Sequence, residues 1–229
     1  MSKQIILILG AGSNVGLSVA KKFAADGYEV ALAARNMTDG TSPEGFKTFQ
    51  ADLSERASVS GVFAKLEASL GVPNVVVYNA ASMTPPPPGE SAFSIPIETV
   101  ERDMWINSLS AIAAAQEAIK GFNKASDGHP KRFIYTGNIL NKVVLPMDMF
   151  VTLGMGKAAS SYWISAADQL YAKDGYRFFY ADQRTPDGGA MQNGVDGDAH
   201  ADFYTQLVNG DDTIPSNATF VKGQGYKSF

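Results

Sequence analysis

The sequence predicts a single α/β domain in which a doubly wound parallel sheet of about seven strands carries helices on both faces. Two patterns lead to this fold class. Short runs of branched and aromatic residues alternate along the chain with longer segments of helical period, and the first run ends in a glycine-rich turn. Strands joined through helices form right-handed crossovers, which produce a parallel sheet. The 229 residues are enough for one core over 1–229, and no linker-like composition divides them.

Seven segments have the composition of buried strands, and five have a helical period. In the second helix, Val59, Val62 and Leu66 recur on one face. Gly27 follows the first helix and is expected in the left-handed conformation that lets a helix end. The strands are predicted at 5–9, 29–33, 47–50, 74–78, 132–135, 177–181 and 218–221. The helices are predicted near 15–26, 56–70, 98–121, 157–172 and 199–208, with pocket-shaping loops over 82–96 and 182–199.

The composition is that of an ordinary globular protein, with 45% hydrophobic and 18% charged residues. A net charge of −4 offers no basic surface, so neither nucleic acid nor an anionic membrane is expected as a partner. The chain has no cysteine, which excludes disulfides and thiolate metal sites and fits a reducing compartment, the cytoplasm. The apolar run at 5–9 leads straight into glycines, so we interpret it as a strand and not as a signal peptide.

The segment LGAGSNVG, residues 9–16, places Gly10, Gly12 and Gly16 between the first strand and the first helix. Glycines at this spacing allow a tight turn, close approach of the backbone to a phosphate, and close packing of the helix on the sheet. The N-terminus of the helix then faces the anion. This context favours a Rossmann-type dinucleotide site.

The residues after the second strand indicate which dinucleotide is bound. Sites for NAD carry a carboxylate there to hold the ribose hydroxyls, and neither Ala34 nor Arg35 supplies one. A guanidinium suits a 2′-phosphate, so Arg35 predicts NADP as the cofactor. The alternative is a solvated surface arginine.

Spaced motifs along essentially the whole chain resemble the short-chain dehydrogenase/reductase family. They are GAGSNVG at 10–16, Ala34-Arg35, Asp52-Leu53, Asn79-Ala80-Ala81, Asn107 and Lys157. The segments FIYTGNIL, FYADQR and DGDAHA are similar to a group of fungal members that no single activity defines.

The resemblance implies a role for each of these motifs. The glycine turn would bind the cofactor through Gly10, Gly12, Ser13, Asn14, Val15 and Gly16. Asp52 and Leu53 would flank the adenine, and the run Asn79, Ala80 and Ala81 would support the glycine turn and the cofactor. Asn14 stands where the family usually has glycine, and asparagine tolerates the left-handed region better than most residues.

The main departure from the family is Leu153. Family members have a tyrosine four residues before the lysine; it protonates the carbonyl oxygen as hydride arrives, and the lysine lowers its pKa. Asn138, just after Thr136, replaces the serine that holds the substrate oxygen, and its amide can polarise a carbonyl but supplies no proton. The resemblance leaves Lys157 as a ligand of the nicotinamide ribose and Asn107 as the residue that organises a water near it. We expect Asn138 and Thr136 to orient the substrate.

Three functions remain open for this altered centre. A reductase acting on an imine, an iminium or an activated carbonyl would tolerate Leu153. A displaced acid could serve instead, from Tyr135, Tyr162 or Asp182, although the two tyrosines also fit packing roles and Asp182 could hold the following loop. The third is an NADP-binding scaffold, sensor or non-redox catalyst. Lys157 and Asn107 favour redox chemistry, because an adenine-end binder needs no groups around the nicotinamide.

Other polar residues have simpler interpretations. His129 and His200 fit surface or capping roles, and Asp196, Asp198 and Asp202 fit the start of a helix, so no metal site is predicted. The resemblance and the alanine-rich stretches 111–115 and 158–159 imply close helix contacts in a homo-oligomer, a dimer or a tetramer. The remaining expected partner is a small-molecule substrate.

Overall fold

The computed structural model describes residues 3–125, 128–210 and 213–229, and these residues form one nine-stranded sheet with helices on both faces. The strands are β1 Ile5–Leu9, β2 Glu29–Ala34, β3 Gly40–Thr41, β4 Lys47–Gln50, β5 Val75–Tyr78, β6 Lys131–Thr136, β7 Tyr176–Gln183, β8 Asn217–Val221 and β9 Gly225–Tyr226. The helices are α1 Val15–Ala25, α2 Ser58–Ser69, α3 Ile97–Met104, α4 Ser110–Lys124, α5 Val151–Tyr171 and α6 Gly197–Val208. A π-helix, Trp105–Leu109, joins α3 to α4.

The order of strands across the sheet is β3-β4-β2-β1-β5-β6-β7-β8-β9. The strands from β4 to β8 in this order are parallel, and the two-residue edge strands β3 and β9 pair antiparallel with their neighbours. The predicted doubly wound α/β fold is therefore confirmed. Because the strands from β4 to β8 all run in the same direction, their carboxyl ends lie at one edge of the sheet.

Each face of the sheet has its own core. Along β1, Leu7 packs into the core beneath α2, α4 and α5, while Ile6 and Ile8 pack into the core beneath α1 and α6. Successive side chains of a strand point to opposite faces, so strands covered on both faces are apolar throughout, as β1 and β5 are.

Four details differ from the sequence predictions. The sheet has nine strands because β3 and β9, each only two residues long, carry too little pattern to predict. The helix predicted at 98–121 is interrupted by the π-helix, and the helix predicted at 157–172 begins at Val151. The predicted loop 182–199 begins later, because Asp182 and Gln183 are the last residues of β7. Gly27 has a φ of 91°, so its predicted left-handed conformation is confirmed.

Candidate cofactor and catalytic site

The glycine turn is fixed by close packing against the end of β5. Gly10 has a φ of 84°, and a Cβ on it would overlap the backbone of Ala80. The amide Nδ2 of Asn79 donates a hydrogen bond to the Gly10 carbonyl at 2.8 Å. Gly16 allows α1 to approach Ala11, whose Cα would lie 2.7 Å from a Cβ at that position. A Cβ on Gly12 would meet nothing within 4 Å, so the backbone there is open to a ligand.

A groove of about 580 Å³ opens from this turn along the carboxyl ends of four neighbouring strands. Its walls are the residues that follow β1, β2, β4 and β5, at 10–12, 34–37, 51–53 and 79–82, together with Ile106. Ligands of open α/β sheets bind at this edge. The groove thus brings together the predicted residues Gly10, Gly12, Arg35, Asp52, Leu53, Asn79, Ala80 and Ala81.

Arg35 lies exposed at the groove wall beside Asn36 and Met37. Asp52 accepts hydrogen bonds from the backbone N–H and the hydroxyl of Ser54, at 2.9 and 2.7 Å. These bonds hold the pKa of the Asp52 carboxyl below its usual value, with a smaller contribution from the Arg35 charge. A guanidinium and a carboxylate therefore both face the end of the groove.

Asn14 occupies the last position before α1 without entering the left-handed region, since its φ is −92°. Its Nδ2 donates to the carbonyl of Val195 at 2.9 Å, in the segment between β7 and α6. Gly197 lies so close that a Cβ on it would be 2.7 Å from the Asn14 side-chain oxygen. Asn14 thus joins the glycine turn to the loop that follows β7, whereas Ser13 is exposed and Val15 is buried on α1.

Three stacked tyrosines lie near the carboxyl ends of β5, β6 and β7. The rings of Tyr78, Tyr135 and Tyr180 stack at centroid distances of 5.7 and 5.5 Å. Their hydroxyls donate to the backbone carbonyls of Ile106, Asn107 and Asn138, at 2.6, 2.7 and 2.7 Å respectively. The stack therefore fixes the π-helix and the turn after β6 relative to the sheet.

Asn107 is fully buried in the π-helix. Its amide makes two hydrogen bonds of 2.8 Å with the backbone N–H and carbonyl of Ser82. Its own carbonyl accepts from the Ser160 hydroxyl on α5 as well as from Tyr135. Asn107 thus shapes the groove by holding the segment after β5.

Lys157 is buried on α5, with 4% of its surface exposed. Its Nζ donates to the Thr136 carbonyl at 2.7 Å and lies 4.5 Å from the centre of the Tyr135 ring. Burial lowers the pKa of Lys157 to about 7, and the negative charge of Asp182 acts in the opposite direction. Leu153, one helical turn earlier, is also buried and offers no hydroxyl to the site.

The turn after β6 carries the predicted substrate-orienting residues. The side-chain oxygen of Asn138 accepts from the Leu140 N–H at 3.0 Å, so its Nδ2 is the atom available as a donor. Thr136 directs its hydroxyl to Tyr204 at 2.7 Å, and its contact with Lys157 comes from its carbonyl.

The three candidate acids occupy different environments. Tyr135 is fully buried, and burial raises the pKa of its phenol above the usual value. Tyr162 is 81% exposed on the outer face of α5, so the prediction that it packs in the core is wrong, and its alternative, packing at a helix interface, stays a prediction. Asp182 is buried and forms an ion pair with Arg184 at 2.6 Å.

Two buried charged residues near the site were not found from the sequence. Asp103 accepts from the hydroxyls of Thr152 and Ser82, at 2.8 and 2.6 Å, and so joins α3 to the start of α5. Arg184 follows β7 directly and donates to the Gly188 carbonyl at 3.0 Å. The sequence places Asp103 within a predicted helix and Arg184 shortly after a predicted strand, and neither position identifies the partner of the charged side chain.

A second cavity, of about 490 Å³, lies between the segment after β6 and the start of α5. Leu140 in its wall donates its N–H to the side chain of Asn138, so the cavity adjoins the turn after β6. Its walls are almost entirely apolar: Ala92, Leu140, Val143, Val144, Leu145, Pro146, Met147, Phe150, Val151, Gly154, Met155 and Ala158, with Asp148 as the charged exception.

Asp196 and His200 have structural contacts at the start of α6. Asp196 caps α6 by accepting from the Ala199 N–H at 2.8 Å. His200 is buried, not on the surface, and its Nδ1 lies 2.7 Å from the Asp196 carbonyl. In the part of the chain that the structure describes, no three His, Cys, Asp or Glu side chains gather where they could hold a metal ion. No helix among those residues has the length and apolarity needed to cross a bilayer.

Comparisons with known proteins identify the relatives of this chain. A family model described as short chain dehydrogenase matches residues 4–129. The short chain dehydrogenase/reductase dmxR12 of Cryptosporiopsis sp. (strain 8999) is 40% identical over 243 residues, which cover 100% of this chain and 96% of that protein.

Solved structures share the fold. A metagenomic short-chain oxidoreductase in complex with NADP aligns with a TM-score of 0.78 at 16% identity, covering 96% of this chain and 98% of that one. An oxidoreductase from Brucella ovis with a partially ordered NAD aligns with a TM-score of 0.74 at 17% identity, covering 96% and 99%. From its sequence matches, the chain belongs to the short-chain dehydrogenase/reductase family of oxidoreductases.

Proposed function

We propose that this protein is an NADP-dependent reductase with an altered catalytic centre, and that its substrate is an activated carbonyl compound. The observation that carries the proposal is the burial of Lys157 against the end of β6, with Leu153 where the proton donor of the family stands. Burial of an amine is costly, so a buried lysine at this position is a candidate for a functional residue.

The described residues fit a nicotinamide dinucleotide. The open backbone at Gly12 and the N-terminus of α1 suit the pyrophosphate, and Arg35 suits a 2′-phosphate. The Lys157 ammonium would hold the ribose next to the nicotinamide. When bound, the cofactor supplies the hydride.

The charges around Lys157 favour a carbonyl over a cationic iminium. Asp182 interacts with three cations, Arg184, Lys157 and Lys142, so this part of the site is positive. A positive environment stabilises the alkoxide that forms when hydride adds to a carbonyl, and it repels a cation. The Asn138 amide can donate to the same oxygen.

Loss of a general acid costs about 10²- to 10⁴-fold in rate. An electron-poor carbonyl tolerates this loss because its alkoxide is stable before it is protonated. The apolar cavity next to Asn138 suits the hydrocarbon part of such a substrate, whose burial would supply binding energy.

The proposal is tested by isotope transfer. NADPH carrying deuterium at one or the other C4 position is incubated with activated ketones, unactivated ketones and cyclic iminium ions, after binding has been verified by cofactor fluorescence. We expect deuterium from one C4 position only, and chiefly in the alcohols derived from activated ketones. Bound NADPH that labels none of these compounds would overturn the proposal.

A gain of function provides a second test. Leu153→Tyr restores the proton donor, and reduction of an unactivated ketone should rise by about 10²-fold or more. Leu153→Phe is the matched control, since it adds the ring without the hydroxyl and should give no such gain. Equal rates for the two variants would show that the missing hydroxyl does not limit the reaction.

One observation favours a second candidate function, an NADP(H)-binding protein without hydride transfer. The wall of the groove includes Ser82 and Ile106. It does not include Lys157, whose surface is only 4% exposed. Tight binding of both NADPH and its adenosine half, with no change in nicotinamide fluorescence and no label transfer, would support this alternative.

A further inference from the structure

A buried charge cluster adjoins the catalytic lysine. Asp182 and Arg184 are 1% and 5% exposed, and both Nε and Nη2 of the guanidinium lie 2.6 Å from Oδ2 of the carboxylate. The other carboxylate oxygen, Oδ1, is buried and has no hydrogen-bond partner among the described residues. An ionised oxygen in such a place is costly unless a positive charge or a donor faces it.

The position of Asp182 in β7 directs it toward Lys157. Tyr180, two residues earlier, packs into the core beneath α4 and α5, and side chains two apart on a strand share a face. Asp182 therefore projects toward α5, where Lys157 lies above the Tyr135 ring. The opposite charges of Lys157 and Asp182 interact across this space.

We propose that Asp182 is a positioning residue that supplies the negative charge opposite the Lys157 ammonium, while Arg184 holds the carboxylate in place. In this role Asp182 touches neither substrate nor cofactor and acts through Lys157. The inference rests on the proposed function only in assigning a purpose to the charged lysine; the ion pairing itself is independent of any activity.

The direction of the effect follows from the charges that face the lysine. Burial favours the neutral amine, and Asp182 favours the ammonium. Arg184 and Lys142 are the other cations that interact with Asp182, and the neighbouring phenols of Tyr135 and Tyr180 stay neutral because burial raises their pKa values. Removal of the carboxylate should therefore favour the neutral amine at a pH near 7.

The experiment measures the charge state of Lys157 directly. The full-length protein is labelled with [ε-¹³C]lysine, the Lys157 signal is assigned by its loss in Lys157→Met, and its chemical shift is followed against pH. Asp182→Asn should lower the midpoint by about one pH unit or more, which is a tenfold change in the protonation equilibrium. Asp187→Asn removes an exposed carboxylate from the following loop and should leave the midpoint unchanged.

Arg184→Met provides a second variant with the same expectation. Loss of the guanidinium removes the charge and the hydrogen bonds that hold the ionised Asp182 carboxylate in place, so the Lys157 midpoint should fall. Because Arg184 acts through Asp182, Asp182→Asn/Arg184→Met should shift the midpoint no further than Asp182→Asn alone, whereas separate structural effects would add. If Asp182→Asn does not fold, an unchanged or raised midpoint in Arg184→Met still overturns the inference, as does an unchanged midpoint in folded Asp182→Asn.

The same variants separate this inference from the proposed function. If hydride transfer occurs, its pH profile should shift with the Lys157 midpoint. Shifted midpoints without any hydride transfer would support the positioning role of Asp182 while contradicting the reductase activity.

Discussion

Arg35 is the side chain on which the choice of cofactor depends. It lies exposed at the end of the groove, so its removal deprives a 2′-phosphate of a charged partner without disturbing the core. We expect Arg35→Ala to weaken NADPH binding by about 10- to 100-fold, the range that a charge-assisted hydrogen bond supports, and to leave NADH nearly unchanged. Titration of nicotinamide fluorescence measures both affinities.

The control for Arg35→Ala is Arg56→Ala. Arg56 is also exposed, but it stacks on Trp105 at 4.9 Å and is not part of the groove wall. Its removal changes the net charge equally and should affect neither cofactor. Equal losses of NADPH and NADH affinity in Arg35→Ala would show that Arg35 does not recognise the phosphate.

Single residues were predictable from the sequence where their contacts are local. One turn contains Gly10, Gly12 and Gly16, and their spacing alone predicts that the backbone and the helix pack closely there. The ion pair that Asp182 forms with Arg184 is also local, but its burial depends on the packing of α5 and of the loop after β7. The bond between Thr152 and Asp103 joins residues 49 apart, and no spacing rule indicates it.

At the scale of elements, the start of α5 depends on a glycine. Gly156 faces the π-helix so closely that a Cβ on it would overlap the Asn107 side chain, whereas a Cβ on Gly154 would meet nothing within 4 Å. We expect Gly156→Ala to lower the free energy of unfolding by about 1–3 kcal/mol through overpacking. Gly154→Ala, in the same helix, should raise it by about 0.5–1 kcal/mol because alanine favours the helix.

Urea unfolding of both variants measures this difference. Gly156→Ala should also weaken cofactor binding, since the overlap displaces the residue that holds Ser82 beside the groove. Similar stabilities for the two variants would indicate that α5 and the π-helix are less closely packed than the structure has them.

The same glycines explain why α5 was predicted too short. Glycine disfavours a helix interior, so the segment 151–156 lacks a helical signal, although packing against Asn107 and the bond from Thr152 to Asp103 hold it as helix. The π-helix was not predictable for a related reason. Tyr78 and Tyr135, which lie on strands distant in sequence, fix its register by donating hydrogen bonds from their hydroxyls to the Ile106 and Asn107 carbonyls.

At the scale of the whole molecule, the outer face of α5 is unusually apolar for a free surface. Met155, Tyr162 and Leu170 are 47%, 81% and 69% exposed, and their spacing of seven and eight residues places them along one face of this helix. Exposed large apolar side chains that lie together mark an interaction surface. They agree with the homo-oligomer that the family resemblance implies, and we propose that α5 packs against a second copy.

A charge at the centre of this face tests the assembly. Tyr162→Asp should convert a dimer or tetramer into smaller species, because a carboxylate buried at an interface without a partner is costly. Sedimentation velocity at several protein concentrations measures the change, and circular dichroism verifies that the fold is retained. Phe93→Asp is the control, since Phe93 is 89% exposed on the turn before α3 and should not alter the assembly. A wild-type chain that sediments as a monomer, or a Tyr162→Asp variant that stays fully assembled, would contradict packing through α5.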